Sequence, residues 1–368
     1  MSYAYAPAAR SPSAPTGLFS SRDYADMRAY FAARPDLAPS PTHDLPALAR
    51  HLGIASLTVK DETARFGLNA FKLLGARYAV DSLMADRVIA PGATLACASE
   101  GNHGRAVARA ARISNCHCFV FMAGDAAQAR VDAIATEGAT VVRVEGSYDD
   151  AVRIMSERAA ASGWTIVSDT SWPGYDEIPR RIMLGYTRMM DEVASASSAF
   201  SSVWVQGGVG GLLCAIASWR AMHWPGLQPS VICVEPVDAA CLLASAKAGR
   251  PVAVEGPLNT TMAGLRNREV SPLAFDALLP IVDAYLAIDD HWAHTAMRYL
   301  ARPLGDDPSI AAGASGAAAL GGLVAALGDP ALDGVRHQLH LGPSSRVLVL
   351  VTEGVTDPVL WSSVVASP

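Results

Sequence analysis

A chain of 368 residues, 51% hydrophobic and 17% charged, is long enough for two lobes with sizeable cores. A net charge of −6 without a basic stripe makes nucleic acid and anionic membrane surfaces poor partners. Six cysteines without a CxxC pair, most of them in apolar stretches, point to free thiols in a reducing compartment and to no metal site.

Residues 1–20 open with an Ala/Pro/Ser-rich run that lacks the apolar segment of a signal peptide, and a mobile tail is expected there. Ser21 to Ala33 reads as a helix, Leu45 to Leu52 as a second, and Leu57 to Lys60 as a strand. Lys72 to Met84 reads as a helix whose first residue is a lysine wedged between Phe71 and Leu73-Leu74. Strands then alternate with helices: Ala93 to Ala98, Cys118 to Met122, Thr140 to Val144 and Thr165 to Val167 are separated by Arg105 to Arg112, Ala126 to Thr136 and Tyr148 to Ala161. That alternation indicates a parallel sheet with crossover helices. Arg180 to Val193 reads as one long helix. Ser202 to Gln206 and Val231 to Val234 are strands, each followed by a helix, Leu212 to Met222 and Ala239 to Ala248. Leu265 to Leu278, interrupted at Pro272, Trp292 to Ala301 and Ser315 to Leu327 read as helices, and Arg346 to Val351 as the last strand. The longest run of apolar character, Gly313 to Gly328, is mostly Ala and Gly and does not have the composition of a membrane span.

Three stretches carry chemistry. An ammonium buried in an apolar turn is costly unless it is kept neutral and used, and a desolvated Lys of lowered pKa is the usual Schiff-base nucleophile. A snorkelling Lys at a helix start is the alternative for Lys72. Gly207-Gly208-Val209-Gly210-Gly211 lies between a strand and a helix, where glycines let backbone amides approach a phosphate at the helix N-terminus. No Lys-Ser/Thr follows it and the spacing is not that of a dinucleotide fingerprint, so a compact phosphate monoester fits it best. Ser99-Glu100-Gly101-Asn102-His103-Gly104 is also a strand-to-helix turn, suited to holding a carboxylate or to capping the helix. A reactive lysine, a phosphate cradle and a carboxylate loop are the parts that a pyridoxal 5′-phosphate enzyme needs.

At these residues the chain resembles the fold-type II pyridoxal-phosphate enzymes, the tryptophan synthase β-like group, and within them the diaminopropionate ammonia-lyases. The narrow signals are Arg65-Phe66-Gly67-Leu68-Asn69-Ala70-Phe71-Lys72-Leu73-Leu74-Gly75 and Asp169-Thr170-Ser171-Trp172-Pro173-Gly174-Tyr175-Asp176-Glu177-Ile178-Pro179. Thr261-Met262-Ala263-Gly264-Leu265, Pro303 to Pro308 and Glu353 to Asp357 add to them, and the likeness runs from about Pro41 to Trp361. It implies an α/β fold of two lobes, each with a mostly parallel sheet flanked by helices. Residues 21–70 and 190–368 would form the large lobe that binds the cofactor phosphate, and 71–189 the small lobe.

The resemblance also implies roles. Lys72 would carry the cofactor as a Schiff base, with Phe71 beside it. Gly207, Gly208, Val209, Gly210 and Gly211 would hold the phosphate, Asn102 the phenolic oxygen, and Thr352 the pyridine nitrogen. Lys72 and Glu100 would serve opposite faces of the α-carbon, and Asp169 would bind the β-amino group. Ser99, Gly101, His103, Thr261, Met262 and Ala263 would complete the substrate contacts. The expected reaction is α,β-elimination of D- or L-2,3-diaminopropionate to pyruvate and ammonia, by a cytoplasmic homodimer acting on a small amino acid. Four positions depart from the family pattern: Glu100 and Ala314 replace an Asp and a Glu, and Pro173 and Val355 replace a Glu and an Asp. The segment from Lys72 to Ser99 is also short for the family. Because the changes fall on the substrate side, a dehydratase or β-replacement enzyme for another β-substituted amino acid, such as a β-hydroxy amino acid, is the competing expectation.

Overall fold

The computed structural model describes residues 3–7, 17–99, 101–124, 126–196, 199–224 and 229–367. In chain order the elements begin with β1 (Tyr3–Pro7), α1 (Ser21–Ala32), β2 (Thr42–Asp44), α2 (Pro46–His51) and β3 (Ser56–Asp61). There follow α3 (Leu73–Ala85), β4 (Thr94–Ala98), α4 (Asn102–Ile113), β5 (His117–Ala123), α5 (Gln128–Ala135), β6 (Thr140–Val144), α6 (Tyr148–Ser162) and β7 (Thr165–Ile166). Then come α7 (Glu177–Tyr186), α8 (Arg188–Ala196), β8 (Ser202–Gln206), α9 (Gly211–His223), β9 (Ser230–Pro236), α10 (Cys241–Ala248), α11 (Pro272–Leu278) and β10 (Ala284–Ile288). The last are α12 (Asp290–Ala301), α13 (Ala314–Gly328), α14 (Asp333–Gln338), β11 (Arg346–Val351) and α15 (Pro358–Ala366).

Two compact units result, one from residues up to 25, 38–70 and 187 onward, the other from 26–37 and 71–186. The first holds a seven-stranded sheet in the order β1-β10-β9-β8-β11-β3-β2. Its inner pairs are parallel, and the two edge strands, β1 and β2, are antiparallel. Strands β8, β9 and β10 are buried over nearly their whole length, as expected of a parallel sheet covered on both faces. Helix α13 explains its own composition. A Cβ on Gly321 would lie 2.9 Å from the Trp292 backbone of α12, and one on Gly322 would lie 2.6 Å from the Val234 side chain of β9. The helix is Ala- and Gly-rich because it is wedged between a sheet and another helix. No single described helix is long and apolar enough to cross a membrane.

The second unit has a four-stranded parallel sheet, β6-β5-β4-β7, over a core of Ala96, Phe121, Val144, Ala151 and Met155. Here α3 crosses α7 at very close range. A Cβ on Gly75 would stand 2.5 Å from the Tyr186 ring and 2.6 Å from the Ile182 carbonyl, and one on Gly185 would stand 2.6 Å from the Leu74 carbonyl. Two glycines thus let two backbones touch within one turn of Lys72.

Five expectations change. Tyr3–Pro7 is a strand paired with β10 rather than part of a mobile tail, because β10 offers an open edge; residues 8–16 lie outside the described residues. Residues 26–37 pack with the second unit, since Tyr30 and Arg34 both bond Asp81 and Tyr30 and Phe31 meet the Tyr78 ring. The single helix read over Arg180 to Val193 is broken at Thr187 into α7 and α8. Strand β10, Ala-Tyr-Leu-Ala-Ile, is unexpected from the sequence, and Pro272 begins helix α11 instead of interrupting one.

The α3–α7 crossing predicts that Gly75→Ala destabilises the protein by roughly 1–3 kcal/mol, because backbone must move to admit the methyl. Urea unfolding measures it, and an unchanged midpoint would refute the close crossing.

Candidate functional site

The stretch ahead of Lys72, which ends the 38–70 part of the first unit, has backbone that turns the wrong way for most residues. Phe66, Gly67 and Asn69 adopt φ of 56°, 68° and 56°. The Asn69 carbonyl takes the Gly354 N–H at 2.9 Å, and the Asn69 amide donates to the Val355 carbonyl at 3.3 Å. Arg65, at the head of this stretch, is buried in ion pairs with Glu62 at 2.8 Å and Glu192 at 2.7 Å, and Lys60 joins Glu192 at 2.7 Å. Lys72 then stands at the cap position of α3, in helical backbone.

Asp169 follows β7 on a loop that is pinned by its own tip. Pro173 and Gly174, φ 84°, form the turn, Trp172 and Tyr175 pair as a β-bridge, and their rings stack at 3.9 Å. The Tyr175 hydroxyl donates to the Ile166 carbonyl and accepts from the Ser168 N–H, at 2.8 and 2.9 Å. Asp169 is thereby delivered to Lys72: Nζ to Oδ2 is 2.7 Å. The amine also lies 5.3 Å from the Phe71 ring centroid and 5.6 Å from that of Tyr186.

Burial alone would push the Lys72 amine down, but the Asp169 carboxylate overrides it and holds the amine above its ordinary value. Asp169 is itself held well below the usual carboxylate range: burial opposes this, and the Lys72 ammonium at 2.7 Å outweighs burial. The neutral amine expected from the sequence is therefore reversed here. Lys72 is an ammonium, because the hairpin brings a carboxylate that the local sequence does not contain.

His103, expected to meet a substrate carboxylate, turns inward on α4. Its ring is buried, Nε2 donates to the Val167 carbonyl at 2.8 Å, and Nδ1 faces Asp169 Oδ2 at 3.6 Å. Ser99 caps this turn with its hydroxyl, accepting from the Gly104 N–H at 3.0 Å and the Gly101 N–H at 3.3 Å. Asn102 opens α4. Glu100 lies outside the described residues.

In the first unit, the glycine bend ends β8 and starts α9. A Cβ on Gly207 would lie 2.5 Å from Cys233 Sγ, one on Gly208 would lie 2.7 Å from the Asn267 amide, and Gly210 has φ 101°. Among the described residues no acceptor takes the N–H of Gly208, Val209, Gly210 or Gly211. Four unspent amides at the N-terminus of a 13-residue helix fit a phosphate, and side chains have no room at Gly207 and Gly208. Behind it, the buried Glu235 carboxylate accepts the Leu242 and Leu243 N–H groups, each at 2.8 Å. Burial pushes its carboxyl up to about 8, against the pull of those two amides. Thr352, at the end of β11, is buried and accepts a hydrogen bond from the Gln206 amide, leaving its own proton to donate.

The Thr261 segment is held from behind. The Thr261 N–H goes to Asp290 at 2.6 Å and its hydroxyl to His294 at 2.9 Å. The Met262 side chain is fully buried, and Ala263 begins a short 3₁₀ turn. Sequence reasoning missed Tyr186 and Glu353. Glu353 accepts from the Thr356 hydroxyl at 3.1 Å, and its carboxylate lies 3.1 Å from where a Gly313 Cβ would be and 3.3 Å from that of Gly264. A carboxylate thus stands beside Ala314-Ser315-Gly316 although position 314 lost one.

The family model described as pyridoxal-phosphate dependent enzyme matches residues 33–353. The diaminopropionate ammonia-lyase of Escherichia coli strain K12 is 36% identical over 338 residues, covering 87% of this chain and 85% of that protein. That of Salmonella typhimurium is 32% identical over 367 residues, covering 92% and 91%. The crystal structure of the Escherichia coli enzyme in complex with an aminoacrylate-PLP azomethine reaction intermediate superposes with a TM-score of 0.91 at 33% identity, covering 99% of this chain and 96% of that one.

Two outcomes follow from the electrostatics. Asp169→Asn removes the charge that opposes burial, so the pH at which the Lys72 amine begins to react with an acylating reagent falls by at least about one unit; peptide mass spectrometry reads it, and no change would discard the ion pair. Glu235 is raised when folded, so its contribution is present below its unfolded value and is lost as pH rises through about 8. The urea midpoint of the wild type should therefore fall between about pH 5 and about pH 9 more steeply than that of Glu235→Gln.

Proposed function

We propose that this chain, which belongs to the pyridoxal-phosphate dependent enzymes and within them to the diaminopropionate ammonia-lyases, eliminates ammonia from 2,3-diaminopropionate to give pyruvate. The observation that carries the reading is the Lys72–Asp169 pair: a partly buried carboxylate that already holds an amine at 2.7 Å is suited to hold the β-ammonium of the substrate.

The unspent amides of Gly208 to Gly211 would hold the cofactor phosphate, with Gly207 letting the bend pass close to β9. Lys72 would carry the cofactor, with Phe71 and Tyr186 as its apolar floor. When bound, the cofactor supplies a sink for the electron pair left by the α-proton. The Thr352 hydroxyl, its lone pair engaged by Gln206, would donate to the ring nitrogen, and Asn102 would donate to the phenolic oxygen. A neutral donor at the ring nitrogen leaves the sink weak, which favours expulsion of a leaving group over transamination.

Lys72, once released, would take the α-proton from one face and Glu100 from the other, which admits both enantiomers. Asp169 would position the β-nitrogen. The substrate carboxylate would be met by the turn of Ser99 and Gly101, and by backbone of Thr261, Met262 and Ala263. Gly101 must give up its bond to Ser99 to serve. The Ser99 turn belongs with Lys72 to a small lobe, and the glycine bend to a large one. A cytoplasmic location accords with the six free cysteines. A homodimer is the assembly that the family implies, and sedimentation of the purified protein reads it.

Keto-acid release is measured on D- and L-diaminopropionate, beside serine, threonine and hydroxyaspartate. Pyruvate from either diaminopropionate enantiomer supports the reading. Turnover of the hydroxy amino acids alone would replace it with a dehydratase. Lys72→Ala loses the visible band of the bound cofactor and at least about a thousandfold in rate. Gly207→Ala keeps the lysine but weakens cofactor binding at least about tenfold, read by titrating the same band.

A further inference from the structure

His103 has a polar atom that the roles above leave idle. Its Nε2 donates to the Val167 carbonyl, an acceptor only, so that nitrogen carries the ring's proton. In the neutral ring Nδ1 is then a bare lone pair. It is buried, has no hydrogen-bond partner, and points at Asp169 Oδ2 from 3.6 Å. Lys72 Nζ addresses that same oxygen from 2.7 Å. Two acceptors facing each other inside the protein repel unless a proton joins them, and one carboxylate oxygen is shared by two bases.

We propose that His103 is a proton-holding positioning residue, which takes a proton on Nδ1 when Lys72 leaves Asp169 and passes it through Asp169 to the departing β-nitrogen. The inference rests on the ammonia-lyase reading. The step balances as follows. The α C–H bond breaks, its proton goes to the α-face base, and its electron pair forms the Cα–Cβ double bond. On binding, the β-ammonium lends one proton through Oδ2 to Nδ1; when the Cβ–N bond breaks, its pair stays on nitrogen, and the neutral β-amine takes that proton back and leaves as ammonia.

The charges around the imidazole act in the required direction. Burial keeps the ring neutral, Asp169 favours its protonation, and Lys72 opposes it. Withdrawing the Lys72 charge therefore moves the ring toward protonation. Cys97 on β4, Tyr175 on the hairpin and Tyr186 on α7 also lie in the field of Asp169; their burial raises all three, so they stay neutral.

Diaminopropionate and β-chloroalanine separate the roles, because chloride leaves with the bonding pair and needs no proton. In His103→Gln, the ratio of turnover on diaminopropionate to turnover on β-chloroalanine should fall at least about tenfold relative to wild type. An unchanged ratio would overturn the proposal. A wild type that expels chloride but never ammonia would overturn the ammonia-lyase reading instead. Imidazole nitrogen NMR of the cofactor-loaded protein, assigned by loss of the signal in His103→Gln, tests the pair without turnover. Asp169→Asn should lower the pH midpoint of His103 protonation by at least about one unit, and an unmoved midpoint would exclude a shared proton.

Discussion

One oxygen atom organises the second unit. Asp169 Oδ2 holds the Lys72 ammonium at 2.7 Å and is faced by His103 Nδ1 at 3.6 Å. Each partner is delivered by a separate device: Lys72 by the close α3–α7 crossing at Gly75 and Gly185, Asp169 by the Pro173-Gly174 hairpin, and His103 by a bond to the carbonyl of Val167. A carboxylate at this depth stays charged only while a cation addresses it, so the devices that deliver Lys72 and Asp169 depend on one another.

Each unit repeats one piece of local architecture, the strand that turns through small residues into a helix N-terminus. The two turns have been put to different ends. At the Ser99 turn a hydroxyl accepts the amides of Gly101 and Gly104, so part of the helix start is satisfied from within. At the Gly207 bend no described group consumes the corresponding amides, and four glycines in five residues leave them reachable. The same dipole and donors are present in both. The difference is one serine.

The departures from the family pattern look different once distant residues are placed. Beside Ala314, the Glu353 carboxylate stands against Gly313 and Gly264. Pro173 occupies the turn position that its fixed φ suits, ahead of Gly174 in left-handed backbone. The buried set of Lys60, Glu62, Arg65 and Glu192 draws its charges from β3, the turn after it and α8. An isolated charge there would be costly, so the set holds or fails together.

What the sequence determined by itself was periodic or local. Alternating strands and helices foretold the parallel sheets, and the five-residue glycine bend and the Phe-Gly-Leu-Asn-Ala-Phe-Lys stretch marked a cofactor site, because backbone close to a ligand demands glycine wherever it lies in a fold. Strand β10 stayed hidden because a five-residue apolar run carries no period that separates strand from helix, and only pairing with β9 decides it. The state of Lys72 was misjudged for the same kind of reason. Burial can be read from neighbouring apolar residues, but the charge that defeats burial sits 97 positions away and arrives only when the chain folds back. Local sequence states which atoms are available, and tertiary structure decides which of them share a proton.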